Sequence, residues 1–408
     1  MPKSNKNQPK RKKVTYLDYA SSALVEEANP GGIHEISMKE KNKLENARAT
    51  IAQILGAHNY EIIFTSGATE ANNLAILGLI NNFKKPHIVT TNIEHASVLE
   101  VCRHLEETKQ AEVTYVPVEK NGIVDPRKIK KALKPNTVLV SVMYANNEIG
   151  TIQPISEIAK EIRHYKKSIS YKLKAVSYPI FHTDATQAIN YLPIKVEKLG
   201  VDLLSFNGAK IYGPKGVGVL YVKKNTPIKK IMFGGDQEFG LRPGTENVAL
   251  AVGISKALQE VEKIKEKEVK RLIKLRDYFF KQLAQIFFFS GFPATQRQSL
   301  KKGNFTELII NGDLKNRLPN NINITIPGIP SDLLVIELSA RGIMVAGKSA
   351  CKSGDGKASH VIKAINKNIT DTDGSLRFSL GRSTTKKDID YTVKSLSEIL
   401  QKLKRWYN

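Results

Sequence analysis

Cysteine is scarce in this 408-residue chain, which contains only Cys102 and Cys351. Two cysteines cannot build a disulfide framework, and such a low content suits a reducing compartment. Neither cysteine lies in the C-x-x-C or Cys/His spacing that holds zinc, so we expect no metal site.

Long hydrophobic runs are also missing. No window reaches the roughly 18 apolar residues that a membrane span requires. The basic start, MPKSNKNQPKRKK, is followed by VTYLDYA rather than by an apolar run, which argues against a secretory signal. The sequence therefore predicts a soluble cytoplasmic protein with no membrane partner.

The chain has fewer acidic than basic residues: it contains 39 Asp and Glu against 63 Lys and Arg, and its formal net charge is +24. A nucleic-acid partner would account for this excess, as would lysines spread over solvated helix faces such as VEKIKEKEVKRLIKLRDY. Only residues 1–13 form a dense cluster, with six positive charges and no acid, and no nucleic-acid motif accompanies it. We favour solvated faces, expect no nucleic-acid partner, and interpret residues 1–13 as a disordered basic tail.

Strand-like runs alternate with helical stretches through residues 14–255. The strand candidates are EIIF, HIVTT, VTYVPV, TVLVSVM, FHTDA, LLSF and GVLYV. This alternation predicts an α/β large domain, in which a mainly parallel sheet is covered on both faces. In the helix after HIVTT, Val98, Leu99, Cys102 and Leu105 share one face, which predicts that Cys102 is a core residue.

The pattern changes near residue 250. One long helical stretch covers AVGISKALQEVEKIKEKEVKRLIKLRDYFFKQLAQI, and INITIPG, GIMVAGK and SLRFSL follow as strand candidates among shorter helices. We predict that residues 256–408 form this linking helix and a smaller α+β domain that carries Cys351. Two stretches without clear periodicity, 165–179 and 296–317, are predicted to be surface loops.

Three stretches with candidate catalytic or ligand-binding residues follow predicted strands. Open α/β sheets bind their ligands beyond the carboxyl ends of the strands. TSGAT opens a helix whose N–H groups can meet a phosphate, although such residues are also ordinary caps. Asp184 could pair with a protonated ring nitrogen or cap the next helix. Lys210 could form a Schiff base in a closed pocket, although most lysines are simply exposed. Together these parts predict a pyridoxal 5'-phosphate cofactor.

Nine stretches have the residues and the order of one enzyme family: YLDYASS, EIIFTSGATEANN, HIVTTNIEHASVLE, VSVMYANNEIGTIQPI, FHTDATQA, GVDLLSFNGAKIYGPKGVGVLYV, GLRPGTENV, the SAC loop and SLRFSLGR. On these motifs residues 14–402 resemble the cysteine desulfurases of the class V aminotransferase family, which are fold-type I pyridoxal-phosphate transferases. The loop around Cys351 resembles the branch with a long mobile catalytic-cysteine loop. The resemblance implies a large cofactor-binding domain followed by a small C-terminal domain.

The resemblance also implies roles for individual residues. The catalytic set would be Lys210 as the Schiff-base lysine, His95 stacked on the ring and moving protons, and Cys351 as the reacting thiol. The cofactor would also be bound by Ala68, Thr69, Asn147, Asp184 at the pyridinium nitrogen, Gln187 at the phenolic oxygen, Asn207, and Thr245 from the partner subunit of a homodimer. Arg377 would bind the substrate carboxylate, and Asn147 would also contact the substrate.

The implied reaction converts L-cysteine to L-alanine and leaves the sulfur as a persulfide on Cys351, in a loop whose glycines allow movement. An iron–sulfur scaffold or another sulfur-acceptor protein would receive the sulfur for cluster assembly or tRNA thiolation, and Cys351 would ligate the cluster transiently at the scaffold. A selenocysteine lyase and a weakly active scaffold that binds a sulfur acceptor are the alternative interpretations. An intact Cys351 argues against a plain aminotransferase.

Three features depart from the family's pattern. Asn207 and Ala209 replace a serine and a histidine before the Schiff-base lysine, and alanine cannot donate a hydrogen bond. The segment between YLDYASSALV and NPGGIHE is shorter, which alters the site edge at residues 29–34. Lys348 and Lys352 bracket the reacting cysteine, where the family often has serines.

Overall fold

The computed structural model describes residues 28–170, 178–290, 307–347 and 359–407. Three of the predictions lie outside these residues: the basic tail 1–13, the YLDYASS motif, and Cys351 with its neighbours Lys348 and Lys352.

A seven-stranded sheet forms the larger part of the fold. Its strands are β1 Ile62–Thr65, β2 His87–Thr91, β3 Glu112–Val116, β4 Thr137–Ser141, β5 Ile180–Asp184, β6 Leu203–Asn207 and β7 Gly218–Val222, in the spatial order β1-β7-β6-β5-β4-β2-β3. Strands β3, β2, β4, β5 and β6 pair in parallel, whereas β7 is antiparallel to both of its neighbours. The predicted mainly parallel sheet is confirmed. The link from β6 to β7 is too short for a crossover, so β7 must return antiparallel.

Helices cover both faces of this sheet. They are α1 Glu35–Leu55, α2 Ala68–Ile80, α3 Ala96–Glu107, α4 Pro126–Ala132, α5 Ile155–Ser170 and α6 Val196–Leu199. Side chains from α1, α4, α5 and α6 share one core, and those from α2 and α3 share the core on the opposite face. Cys102 lies fully buried in the second of these, as its helical spacing predicted, and burial raises the pKa of its thiol to about 12.

A long helix, α7 Val248–Ile286, connects this sheet to a second, four-stranded one. The remaining elements are β8 Phe288–Ser290, β9 Glu307–Ile310, β10 Asn321–Ile326, α8 Ser331–Ser339, α9 His360–Ile365, β11 Gly374–Ser379 and α10 Lys386–Tyr407, with the sheet in the order β11-β10-β9-β8. The first half of α7 packs into a core of the larger sheet, and its second half, from Leu272 to Leu283, packs into the core of the smaller one. The domain limit between residues 255 and 256 stays a prediction.

Within the ranges that the structure describes, none of these helices combines the length and the apolar character needed to cross a bilayer.

Two local predictions are wrong. The described part of GIMVAGK, residues 342–347, does not form a strand, and in it only Ala346 makes a bridge, to Arg377 on β11. Of the predicted surface loops, residues 165–170 continue α5 and 307–310 form β9, while 171–177 and 296–306 lie outside the described residues. Arg317, in the second of these stretches, is buried rather than on the surface. Its guanidinium donates to the backbone carbonyl of Asp313 at 2.8 Å, and such hydrogen bonds allow a polar side chain to be buried.

The start of β7 packs against the loop that precedes α2. A Cβ on Gly218 would lie 2.5 Å from the carbonyl carbon of Gly67, and backbone cannot yield as a side chain can. We expect Gly218→Ala to lower the free energy of unfolding by about 1–3 kcal/mol, measured by urea denaturation. Gly67→Ala is the matched control, because its Cβ would meet no atom within 4 Å. Equal losses in the two variants would contradict this packing argument.

Candidate active site

One cavity of about 510 Å³ opens where strands of the larger sheet end. Open α/β sheets bind ligands at such strand ends. Of the residues predicted for the site, the following line it together: Ala68, Thr69, His95, Asn147, Asp184, Gln187, Asn207, Lys210 and Arg377. Eight of these end or follow strands of the larger sheet, and Arg377 comes from β11 of the smaller one. The two sheets therefore build the cavity jointly.

The N-terminus of α2 offers backbone donors to this cavity. The N-cap residue, Gly67, provides no side-chain cap, and the first helical bond runs from the Ala71 N–H to the Gly67 carbonyl at 3.0 Å. The N–H groups of Ala68 and Thr69 consequently have no partner within the helix. Orphan donors at a positive helix end suit a phosphate group.

Asp184 presents a carboxylate at the end of β5. The side chain is buried, its Oδ2 accepts from Asn72 Nδ2 at 2.9 Å, and its Oδ1 accepts from the Thr186 N–H at 2.9 Å. Both donors are neutral, so they orient the carboxylate without cancelling its charge. Such a group suits a cationic ring nitrogen.

His95 caps α3 with its side chain. Its Nδ1 accepts from the Ser97 N–H at 3.1 Å and lies 2.9 Å from Ser97 Oγ. These contacts hold the imidazole at the cavity wall. His95 is thus both the N-cap of α3 and a residue of the cavity wall.

Lys210 ends a short 3-10 turn, Gly208–Lys210, directly after β6. Asn207 Oδ1 accepts from the Lys210 N–H at 3.2 Å, and Asn190 Nδ2 donates to the Lys210 carbonyl at 3.2 Å. The backbone of Lys210 is held on both sides, while its side chain is exposed at the cavity. Ala209 also lines the cavity and brings no polar group to it.

Arg377 reaches the cavity from β11. Its Nη1 donates to the Asn147 carbonyl at 2.8 Å, and its buried Nε has no hydrogen-bond partner among the described residues. Burial lowers the pKa of Arg377, and the negative charge of Glu148 opposes this shift. The guanidinium lines the cavity, where its positive charge suits a substrate carboxylate.

The segment that contains Cys351 lies outside the described residues, but both of its ends are fixed beside the cavity. Before it, Ala346 exchanges backbone hydrogen bonds of 2.7 and 3.2 Å with Arg377. After it, Ser359 Oγ donates to Glu148 Oε2 at 2.5 Å. Both anchoring partners, Arg377 and Glu148, adjoin the residues that line the cavity.

Thr245 lies elsewhere. It is exposed on a separate pocket of about 260 Å³, which it shares with Ser66 and Arg242. Its assignment to a partner subunit's cofactor stays a prediction.

Sequence reasoning missed several polar residues around the cavity. Asn72 and Ser97 connect Asp184 to His95 and were not identified. A signal for Asn72 exists, because it is an amide at a buried position within the apolar helical run ANNLAILGLI.

Glu94 and His182 were also missed, and both are fully buried ionisable groups. Burial lowers the pKa of His182, whose ring lies 2.9 Å from the hydroxyls of Ser141 and Ser205.

The residues of the cavity fit pyridoxal phosphate. Unpaired N–H groups at α2 suit its phosphate, the uncompensated carboxylate of Asp184 suits its ring nitrogen, and Lys210 suits its aldehyde. Within residues 28–170, 178–290, 307–347 and 359–407, no cluster of His, Cys, Asp and Glu is arranged to hold a metal ion.

Comparison with known proteins identifies relatives along nearly the whole chain. The family model for class-V aminotransferases matches residues 15–392. The cysteine desulfurase IscS of Dictyoglomus turgidum is 40% identical over 409 residues, which cover 96% of each chain. Among solved structures, a NifS-like protein superimposes with a TM-score of 0.78 at 34% identity, covering 92% of each chain. A structure described as SspA in complex with cysteine has a TM-score of 0.67 at 32% identity, covering 86% of this chain and 90% of that one.

Glu94 should make the stability of the protein depend on pH. Burial raises its pKa from 4.5 to about 8, and the charge of Asp184 adds to the shift, against hydrogen bonds from Thr91 and Met143. Between these values the folded state binds more protons than the unfolded state, so stability is lost as the pH rises through about 8. Glu94→Gln cannot ionise and should escape this loss.

We expect the stability of Glu94→Gln relative to wild type to rise by on the order of 1–3 kcal/mol between roughly pH 6 and pH 9, measured by urea denaturation. Glu107→Gln, at the exposed end of α3, is the matched control and should follow wild type at both pH values. The same pH trend in both variants would show that Glu94 is not the group responsible.

Proposed function

The chain belongs to the class-V aminotransferase family, and on that premise we propose that it is a pyridoxal-phosphate-dependent cysteine desulfurase, which converts L-cysteine to L-alanine and takes up the sulfur as a persulfide on Cys351. One observation carries the proposal. Asp184, His95, Lys210 and Arg377 converge on one cavity, and both ends of the segment that contains Cys351 are fastened beside it.

The cofactor would be held by residues from four strand ends. When bound, it supplies an electron sink for bonds at the substrate's α-carbon. Its groups would be met by Ala68, Thr69 and Asn207 at the phosphate, Asp184 at the ring nitrogen, Gln187 at the phenolic oxygen, Lys210 at the aldehyde, and His95 against the ring. Lys210 Nζ is an amine on a flexible side chain and can carry a proton to or from the substrate.

Arg377 would select the substrate by its carboxylate. The Asn147 carbonyl holds one edge of the guanidinium through Nη1, which fixes the positive charge of Arg377 at the cavity wall. A planar guanidinium binds a carboxylate through two parallel hydrogen bonds. The cysteine present in the structure of the related SspA supports L-cysteine as the substrate.

Cys351 would accept the sulfur. Its thiolate attacks the substrate sulfur, so an S–S bond forms as the C–S bond breaks, and the substrate carbon gains a proton to give alanine. One cysteine and one thiol thus become one alanine and one persulfide. Cys351 lies four residues beyond Gly347, whose carbonyl accepts from Ser375 Oγ at 2.8 Å. The chain allows it a reach of at most about 14 Å from that anchor.

A homodimer and an acceptor protein complete the proposal. Phe233 and Phe239 are 85% and 55% exposed in the segment that leads to Thr245, which supports burial of this segment against a second copy. There Thr245 would reach the partner's cofactor. The persulfide would pass to an iron–sulfur scaffold or another sulfur acceptor, in the reducing cytoplasm that the low cysteine content suits.

The reaction is tested by incubating the purified holoenzyme with L-cysteine and a reducing thiol. We expect equal amounts of alanine and sulfide. Cys351→Ser should keep the yellow cofactor but release sulfide at least about 100-fold more slowly, because it has no acceptor thiol. The control Cys102→Ala removes the buried cysteine and should retain turnover. Formation of a keto acid, or full sulfide release by Cys351→Ser, would overturn the proposal.

The Schiff-base assignment has a separate test. Lys210 lines the cavity, whereas Lys215, five residues further on, does not. Borohydride reduction of the holoenzyme followed by peptide mapping should attach the cofactor to Lys210. Lys210→Ala should lose this label, and Lys215→Ala should keep it. A label on Lys215 in the wild-type protein would refute the assignment.

A further inference from the structure

Asn72 lies in the middle of α2, fully buried beneath the cavity. Its Nδ2 donates to two acceptors, Asp184 Oδ2 at 2.9 Å and Ser97 Oγ at 2.8 Å. An amide nitrogen has two hydrogens and no lone pair for accepting, so both hydrogens are committed. A single side chain therefore connects the residue proposed to face the ring nitrogen with the residue that supports His95.

The orientation of this amide follows from its neighbours. A flipped side chain would place Asn72 Oδ1 against the carboxylate of Asp184, where two acceptors would repel. In the observed orientation Oδ1 is buried and has no hydrogen-bond partner in the part of the chain that the structure describes. A buried unpaired acceptor costs about 1–3 kcal/mol. The observed orientation therefore leaves Oδ1 unpaired but keeps both hydrogen bonds from Nδ2, to Asp184 and to Ser97.

The amide also determines where the proton of Ser97 lies. Because Ser97 Oγ receives a hydrogen from Asn72, its own hydrogen is free for His95 Nδ1, 2.9 Å away. The Ser97 backbone N–H donates to the same ring nitrogen at 3.1 Å. Two donors can be accommodated only if Nδ1 carries a lone pair, and a neutral imidazole with an unprotonated Nδ1 has its proton on Nε2.

We propose that Asn72 is a positioning residue, and that Asn72 and Ser97 together fix His95 as the neutral tautomer protonated at Nε2 while Asn72 holds the carboxylate of Asp184. A proton on Nδ1 would break both bonds from Ser97, so the other tautomer does not fit these contacts. Nε2 is the nitrogen left for the cavity, where it acts as a hydrogen-bond donor. Its use toward cofactor and substrate rests on the proposed function, whereas the tautomer itself rests on the hydrogen bonds.

The tautomer can be observed without an activity assay. The holoenzyme labelled with ¹⁵N in its eight histidines would be studied by long-range ¹H–¹⁵N NMR, with His95 assigned by its loss in His95→Gln. We expect wild-type His95 to show a protonated Nε2 and an unprotonated Nδ1. Asn72→Ala and Ser97→Ala should each reduce the ratio of the Nε2–H to the Nδ1–H tautomer at least fivefold.

Two variants serve as matched controls. Asn73→Ala removes the neighbouring asparagine of the same helix, whose side chain is half-buried and donates to the Thr69 carbonyl at 2.9 Å, and it should leave the tautomer unchanged. Ser97→Thr keeps the hydroxyl and should restore the wild-type ratio that Ser97→Ala loses. If Asn72→Ala does not fold, the two Ser97 variants decide the question, because they differ in the hydroxyl and not in the backbone N–H.

A wild-type His95 protonated at Nδ1, or a ratio unchanged in folded Asn72→Ala or in Ser97→Ala, would overturn the proposal. Failure of the wild-type holoenzyme to release sulfide from cysteine would instead overturn the proposed function and leave the NMR result standing.

Discussion

The structure around the cavity depends on one buried negative charge, that of Asp184. Within the described residues it forms no ion pair, and its two hydrogen-bond donors are neutral. Two neighbouring ionisable groups, His182 and Glu94, are held in their neutral forms near neutral pH. Burial lowers the pKa of His182 and raises the pKa of Glu94 to about 8. A buried charge without a partner is unfavourable, so Asp184 is arranged for a cationic ligand that arrives from the cavity.

A second constraint joins the two sheets at the segment Asn146–Gly150. The carbonyl of Glu148 accepts from Asn321 and Asn323 of β10 at 2.9 and 3.0 Å, and the adjacent carbonyl of Asn147 accepts from Arg377. The anchor of the Cys351 segment, Ser359, bonds to the side chain of Glu148. Arg377, which is proposed to bind the substrate carboxylate, β10 of the smaller sheet and the end of the Cys351 segment at Ser359 therefore all contact the same short segment. A shift of residues 146–150 would therefore displace the contacts to Arg377, to β10 and to Ser359 together.

Sequence patterns predicted the strands and the residues at their ends, because strand periodicity and strand-end chemistry are local properties. Asp184 ends β5, Lys210 ends the short turn after β6, and the observed strand order brings both to one cavity. The residues that support them could not be predicted in this way. Asn72 and Ser97 are distant in sequence from Asp184, and a buried amide is recognisable only when its acceptors are known. The antiparallel β7 and the single bridge at Ala346 were missed because pairing partners are not encoded in a short pattern.

Ala209 stands where the family has a histidine, so this chain lacks one side-chain donor at the proposed phosphate site. The loss is limited, because other donors remain there. The donors at α2 are backbone N–H groups of Ala68 and Thr69, which no side-chain substitution removes. Asn207 commits its amide oxygen to the Lys210 N–H, which leaves its amide nitrogen as the end able to meet an anion. A hydrogen bond to a charged group contributes about 1.5–3 kcal/mol, so the missing side chain weakens binding without removing the anchor. In the proposed function, phosphate recognition would consequently rest on the main chain at α2 and on Asn207, which caps the lysine turn.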